Sequence, residues 1–308
     1  MQVKFWGVRG SIPSPGKDMV KYGGNTACVE VKIDDDYSVV FDAGSGIREL
    51  GKDYLVNKIM KGKKVQMSLF ITHTHWDHIQ GFPFFVPAFI PSSEIKIVGA
   101  AKVDTKLESV LKGQQQYTYF PIALSEMKGK PTFMEIEEDQ KVVIGKVSAD
   151  SRPELGSGWV YGIMPQADPR LDTNLIHITS KKLNHPFPGV FSYRLEYNGK
   201  VVVMATDTEH YSTVDSRLVQ LAKDADVMIY DCQYTDAVYN KGQNLSWGHS
   251  TPTEGIKVAK AANVKKLVMF HYDPNSTDET IDGVYESVKN NPEGIEVIAS
   301  YEGLEIEL

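Results

Sequence analysis

KVQMSLFITHTHWDH, residues 64–78, is the stretch on which the fold turns. Residues 64–72 are rich in apolar side chains and read as a strand. That strand runs directly into His73-Thr74-His75-Trp76-Asp77-His78, three imidazoles and a carboxylate within six residues. Imidazole and carboxylate are the ligands expected for Zn²⁺ and Mn²⁺. His73 and His75, one residue apart, leave the strand end on the same side and can converge on one ion. Asp77 and His78, further round the loop, can serve a second. A polar loop that binds nothing is the competing reading. One histidine alone would favour it; four ligand-type residues at this density favour metal.

Outward from that motif, short apolar runs recur between turn signals. Residues 29–33 and 37–41, separated by Asp34-Asp35-Asp36, read as a hairpin. Residues 95–98, 132–136, 142–144, 176–179, 191–197, 201–205, 227–230, 267–270 and 297–300 read as further strands. Helical spacing appears over 101–112, 215–223 and 252–262, and 285–289 lies in a fourth helix. The helix at 252 opens on Thr251-Pro252-Thr253-Glu254, a capping box with proline at the first helical position. Strands dominate each half with helices between them, which predicts α/β or α+β layering. The Gly/Pro-rich stretch 146–172 reads as an irregular surface insertion.

The chain has eight histidines; beyond the motif they are His177, His185, His210, His249 and His271. His185, Asp207, Asp231 and His271 each follow or end a strand-like run. Ligands gathered at strand ends make a site on a rigid scaffold. Asp42, in Phe41-Asp42-Ala43-Gly44, reads equally as a turn carboxylate or as a partner for a bound histidine. His177 and His210 carry no assigned role. Arg9 and Arg48 lie in loops, as solvated charges or within reach of a phosphate. Phe82, Phe84, Phe85, Tyr119, Phe120 and Trp247 are candidates for an aromatic entrance able to stack on a base, though each taken singly reads as core.

The net charge is −7 over 308 residues, so a general grip on nucleic acid backbones is not expected. The two cysteines, Cys28 and Cys232, are far apart and lie in apolar surroundings, as buried thiols in a reducing compartment. Neither forms a CxxC pair, which argues against a thiolate zinc site. MQVKFWGVRGS at the N-terminus shows no basic region followed by an apolar stretch. No apolar run approaches the roughly 20 residues needed to span a bilayer. A soluble cytoplasmic protein without membrane contact is expected.

HTHWDH resembles the HxHxDH signature of the metallo-β-lactamase superfamily, and His185, Asp207 and His271 follow in the order that superfamily uses. Trp247-Gly248-His249-Ser250-Thr251, followed by a helix, a strand and His271, resembles its phosphodiesterase branch, which includes tRNase Z and the PhnP-like phosphodiesterases. Gly7-Val8-Arg9-Gly10-Ser11 and Tyr22-Gly23-Gly24-Asn25-Thr26 resemble the N-terminal portion of the PhnP-like group. The resemblance runs nearly end to end, with gaps at 146–172. It implies a four-layer αβ/βα metallo-β-lactamase sandwich, one domain over residues 1–308, with metals at one edge between two sheets. It implies two divalent ions, zinc or manganese. One is held by His73, His75 and His185, the other by Asp77, His78 and His271, with Asp207 bridging. Asp77 is expected to double as acceptor of the water proton and His249 to act as general acid. Asp42 and Asp231 are expected to orient bound histidines, and Trp247 and Ser250 to touch substrate.

The activity so implied is hydrolysis of a small phosphodiester, with a cyclic nucleotide or other cyclic phosphate as leading substrate. No long nucleic acid is expected as partner, and a homodimer is in keeping with the resemblance. Three alternatives stand beside it. A thioester or lactone hydrolase of the same fold would share HxHxDH but is disfavoured by His249-Ser250-Thr251. A tRNA 3′-processing endonuclease would carry a long arm between the third histidine motif and the bridging aspartate, whereas only 21 residues separate His185 from Asp207. A non-catalytic metal-binding sensor or accessory protein would often have lost ligands, and here the set is complete.

Overall fold

Alternation along the strands decides which way each side chain faces. In the computed structural model, which describes residues 1–102, 104–147, 158–164, 175–187, 189–242 and 244–308, Tyr37–Phe41 shows this directly. Tyr37, Val39 and Phe41 join a core shared with the opposite sheet, where Phe41 stacks on Tyr193 at 5.8 Å. Val40, facing the other way, joins a second core with Leu50 and Tyr54 of a covering helix.

Among the described residues the first sheet has seven strands: β1 (Gln2–Gly7), β2 (Cys28–Lys32), β3 (Tyr37–Phe41), β4 (Gln66–Phe70), β5 (Glu94–Ala100), β6 (Thr132–Ile136) and β15 (Glu305–Glu307). Their order is β15-β1-β2-β3-β4-β5-β6, antiparallel from β15 to β3 and parallel from β3 to β6. Among the described residues the second sheet has eight: β7 (Lys141–Val147), β8 (Gly158–Met164), β9 (Ile176–Leu183), β10 (Val190–Tyr197), β11 (Lys200–Ala205), β12 (Val227–Asp231), β13 (Lys266–Phe270) and β14 (Glu296–Ala299). Their order is β14-β13-β12-β11-β10-β9-β7-β8, with the parallel part running from β11 to β14. The central parallel strands β3, β4, β12 and β13 are buried on both faces, which is why their sequences are nearly continuous apolar runs. Between β10 and β11 the chain turns on Asn198-Gly199, both left-handed at φ 49° and 71°, as a two-residue hairpin requires.

The helices are α1 (Ile47–Asn57), α2 (Trp76–Ile79), α3 (Leu107–Gln114), α4 (Ser216–Ala222), α5 (Asp236–Tyr239), α6 (Pro252–Ala262) and α7 (Asp278–Val288). Ile47, Leu50 and Tyr54 of α1 and Leu107 and Leu111 of α3 bury against the first sheet. Leu218 and Leu221 of α4 and Ile256 and Ala259 of α6 bury against the second. The result is two mixed sheets face to face with helices outside each, the four-layer arrangement expected. No helix among the described residues is long and apolar enough to cross a membrane.

Helix α6 spans the residues its capping box predicts, with Thr251 Oγ1 accepting from the Glu254 amide. The helix expected over 101–112 begins only at Leu107, and 285–289 proves to be the end of α7, capped by Thr277. Part of the expected irregular insertion is ordinary sheet: β8 pairs antiparallel with β7 at the sheet edge. Trp159 stacks on Tyr37 across the sandwich at 3.9 Å, which gives that strand an inward anchor. Residues 148–157 and 165–172 of that stretch lie outside the described residues.

Candidate metal centre and active site

Six strand ends meet at one edge of the sandwich. His73 follows β4, with His75 at the N-cap of α2 and Asp77 and His78 in its first turn. His185 follows β9, Asp207 follows β11, Asp231 closes β12, His271 follows β13 and Asp42 follows β3. Asp42, Asp207 and His271 hold left-handed backbones, at φ 64°, 54° and 63°. A non-glycine residue held there costs about 1–3 kcal/mol and persists only where its surroundings impose it. Here the left-handed step turns each side chain back across the strand end.

The ligand-type atoms fall into two groups. One nitrogen each of His73, His75 and His185 lies within 4.8 Å of the others, as do single atoms of Asp77, His78, Asp207 and His271. His185 Nε2 is 3.1 Å from His75 Nδ1, and His78 Nε2 is 3.3 Å from His271 Nε2. Asp207 stands between the groups. Its Oδ1 lies 3.7 Å from His73 Nε2 and 3.9 Å from His185 Nε2, its Oδ2 3.2 Å from His78 Nε2 and 3.3 Å from His271 Nε2. His73 Nε2 is buried and makes no hydrogen bond. Buried nitrogen lone pairs converging in this way are what a divalent cation satisfies, so the residues fit two such ions.

Electrostatics agree. Burial holds the His73, His75 and His185 imidazoles below their usual pKa, hence neutral and able to ligate. Burial opposes charge on His78 and His271 too, but the surrounding carboxylates, Asp207 foremost, outweigh it. They hold His78 well above its usual value and His271 at about 9. Burial likewise opposes the Asp77 and Asp207 carboxylates, yet the imidazoles beside them keep both well below the usual range. Two buried carboxylates thus draw positive charge into the pit, the field a metal cation answers.

A second ring of contacts fixes the ligands. Asp42 Oδ2 is 2.8 Å from His78 Nδ1 while Oδ1 accepts the Thr72 amide, so Asp42 orients His78 rather than closing a turn. His185 Nδ1 is 3.0 Å from the Gly248 carbonyl. Gly248 packs so tightly there that a Cβ would fall 2.1 Å from that nitrogen. The Ser11 amide donates to Asp77 Oδ2 at 2.7 Å, and a Cβ on Gly10 would fall 2.4 Å from the His271 ring.

Asp231 also gathers with Asp207, His249 and His271 in a third possible group. Its oxygens are already spent: Oδ2 accepts the Asp207 amide and faces His249 Nδ1 at 2.8 Å, and Oδ1 accepts the amides of Gln233 and Ser250. Four hydrogen bonds make it an orienting acceptor. With Nδ1 committed, His249 keeps Nε2 for another partner, beside His185 and stacked 5.1 Å from His271.

Several expectations need correction. Ser250, expected at the substrate, is fully buried, with its hydroxyl engaged by Tyr230 and His210. His210, without a role from sequence, therefore supports the His249 loop. Arg9 has no exposed surface; it donates to the carbonyls of Gly23, Asp273 and Ser276 and meets no phosphate. Arg48 pairs with Glu49. Phe82 and Phe85 are core, whereas Phe84, Tyr119 and Trp247 are exposed and Phe84 meets Phe120 edge-on at 5.3 Å. Sequence reasoning missed Trp76, 79% exposed inside the metal motif, a visible signal. It also missed Ser11, Thr72 and Glu209, which accepts the Ser246 and Gly248 amides. These act through contacts that no local pattern reveals.

The family described as "Beta-lactamase superfamily domain" matches residues 37–272. A protein named Ribonuclease Z from Thermoplasma acidophilum is 25% identical over 303 residues, covering 91% of this chain and 89% of that protein. Human tRNase Z, short form, superposes with a TM-score of 0.63 at 21% identity, over 100% of this chain and 99% of that one. A diphosphatase from the PhnP family gives 0.60 at 14% identity, over 100% and 97%. The expectation that no long nucleic acid is a partner is overturned by the relatives named Ribonuclease Z and tRNase Z, whose names are those of RNA nucleases. The whole-chain charge of −7 behind it is a sum, and does not describe the field at one pit.

Proposed function

The chain belongs to the β-lactamase superfamily, and from that premise we propose that it is a metal-dependent phosphodiesterase acting on RNA, of the tRNA 3′-processing kind. The observation carrying the chemistry is the His249–Asp231 pair set into the same pit as seven ligand-type side chains. The RNA assignment draws support from relatives named Ribonuclease Z that align over nearly their whole length.

In this reading His73, His75 and His185 would hold one cation and Asp77, His78 and His271 another, with Asp207 placed between the two groups. Such cations, zinc or manganese, polarise the phosphoryl group and make water nucleophilic at neutral pH. Asp77, held by the Ser11 amide at Oδ2, accepts the proton from water. His249, doubly protonated with Nδ1–H held by Asp231, delivers a proton from Nε2 to the departing oxygen, and the Asp231 carboxylate orients the ring and stabilises its cationic form. Trp247, exposed two residues before His249, would stack on a substrate base. The chain acts as one domain.

A second reading, a small or cyclic phosphodiester as substrate, is favoured by one observation. Asn198-Gly199 closes the β10–β11 hairpin directly, so no protruding arm stands between His185 and Asp207. The test compares kcat/KM on precursor tRNA, a linear dinucleotide, a cyclic nucleotide and a phosphomonoester at one salt concentration, with zinc or manganese supplied. Precursor tRNA is expected to lead. A cyclic nucleotide leading would transfer the assignment to small diesters, and the monoester leading would end both.

A further inference from the structure

Beside the cluster lies a cavity of about 500 Å³ that reaches Thr72 and His73 at its floor. That volume is in the range of pockets that enclose small ligands such as a nucleotide. Half-buried Lys102 lines it, and its Nζ donates at 2.7 Å to Thr74 Oγ1, the hydroxyl between the ligands His73 and His75. An ammonium is thus tethered to the metal loop itself. The mouth is different in character. Phe187, two residues beyond His185, is 84% exposed there, and the exposed carboxylates of Asp104, Glu137 and Glu138 line the same rim with one exposed ammonium, Lys182, so that acidic groups outnumber the basic one.

We propose that this cavity is a single-nucleotide subsite, taking the nucleotide next to the scissile phosphate with its own phosphate against Lys102 and its base on Phe187. The order of charges from floor to mouth sets that orientation. A phosphate is drawn inward to the ammonium beside the metal loop and repelled by the rim carboxylates. A base at the mouth finds an aromatic face for stacking and carboxylate acceptors for an exocyclic amino group. Adenine and cytosine carry such an amino group and uracil does not, so the subsite discriminates against uracil. The proposal rests on the phosphodiesterase reading, and nucleotide binding can be measured without turnover.

The experiment is calorimetric titration of the zinc-loaded protein with 5′-AMP, 5′-UMP and adenosine, for wild type, Lys102→Met and Phe187→Ala, with zinc content measured in each. Wild type is expected to bind AMP more tightly than UMP. Lys102→Met should weaken AMP by about tenfold, the loss of one charge-assisted hydrogen bond, and leave adenosine unchanged. Phe187→Ala, at an exposed position, should weaken AMP and adenosine alike with zinc retained, and it decides the matter if Lys102→Met loses metal. Wild type that binds no AMP, AMP affinity indifferent to both substitutions, or UMP binding more tightly than AMP would each overturn the subsite. A protein that binds AMP through these residues yet cleaves no diester overturns the activity and leaves the subsite standing.

Discussion

At the residue scale, roles separate by which atoms are already committed. Asp231 gives all of its acceptor capacity to hydrogen bonds, and His249 gives Nδ1 to Asp231. His249→Ala should therefore retain metal and lose about 10²–10⁴-fold in turnover on alkyl diesters, the usual scale of general acid catalysis. The loss should shrink on nitrophenyl diesters, whose leaving group needs no proton; an equal loss on both removes His249 from the acid role. Because Asp231 acts on this step through His249, adding Asp231→Asn to His249→Ala should add little further loss in turnover where metal content is kept. Independent, additive losses in the double variant would separate the two residues. Asp207 differs in kind, with an oxygen toward each group. Asp207→Ala should lower zinc content at both sites as measured by elemental analysis, and full retention of metal rules out the shared placement. Cys28 and Cys232 take no part. Burial raises both thiols well above their usual pKa, so neither should react with a thiol reagent in the native protein, and both should in denaturant.

At the element scale, what was legible in the sequence was what is local. The metal motif carries four ligands in six residues, and α6 carries its capping box, proline and apolar spacing within one segment. Strands β1 and β15 escaped notice because their pairing joins residues 2–4 to 305–307, and the three residues of β15 carry no period of their own. Helix α1 presents apolar residues at 47, 50 and 54, but Gly51 and the charged residues between them dilute the pattern. The loop after β1 is the clearest functional case. Its Gly10 and Ser11 touch His271 and Asp77, about 260 and 66 residues away, contacts that only the folded chain creates. Arg9 anchors that loop by donating to three backbone carbonyls from a fully buried position. Arg9→Met should leave those carbonyls unpaired and cost on the order of 3 kcal/mol in denaturant unfolding. It should also weaken the Asp77–His78–His271 site by roughly ten- to hundredfold while sparing the His73–His75–His185 site. Unchanged metal affinity at both sites would make Arg9 a purely structural residue.

At the scale of the whole molecule, the pit lies on the seam between the two sheets, and its ligands come from both. His73, His75, Asp77 and His78 hang from the end of the first sheet, His185, Asp207 and His271 from the second. A cation bound by His73, His75 and His185, or by Asp77, His78 and His271, therefore ties one sheet to the other as well as serving chemistry. The apolar core already joins the sheets, through contacts such as Phe41 on Tyr193, so the fold does not depend on metal for its existence. Metal instead adds the binding term RT ln(1 + [L]/Kd), about 4 kcal/mol when free metal stands at a thousandfold over Kd. Chelation should accordingly lower the unfolding temperature without abolishing cooperative unfolding, and zinc or manganese should restore it in a concentration-dependent manner. The shift should be strongly reduced in Asp207→Ala, where neither group retains its shared carboxylate. Hydrogen exchange gives a sharper reading, because the protection lost on chelation should concentrate at the strand ends on both sides of the seam, after β4, β11 and β13. Metal removal that leaves the unfolding temperature unchanged, or loosens only one sheet, would show that the ions sit on one wall of the pit and do not bridge the sandwich.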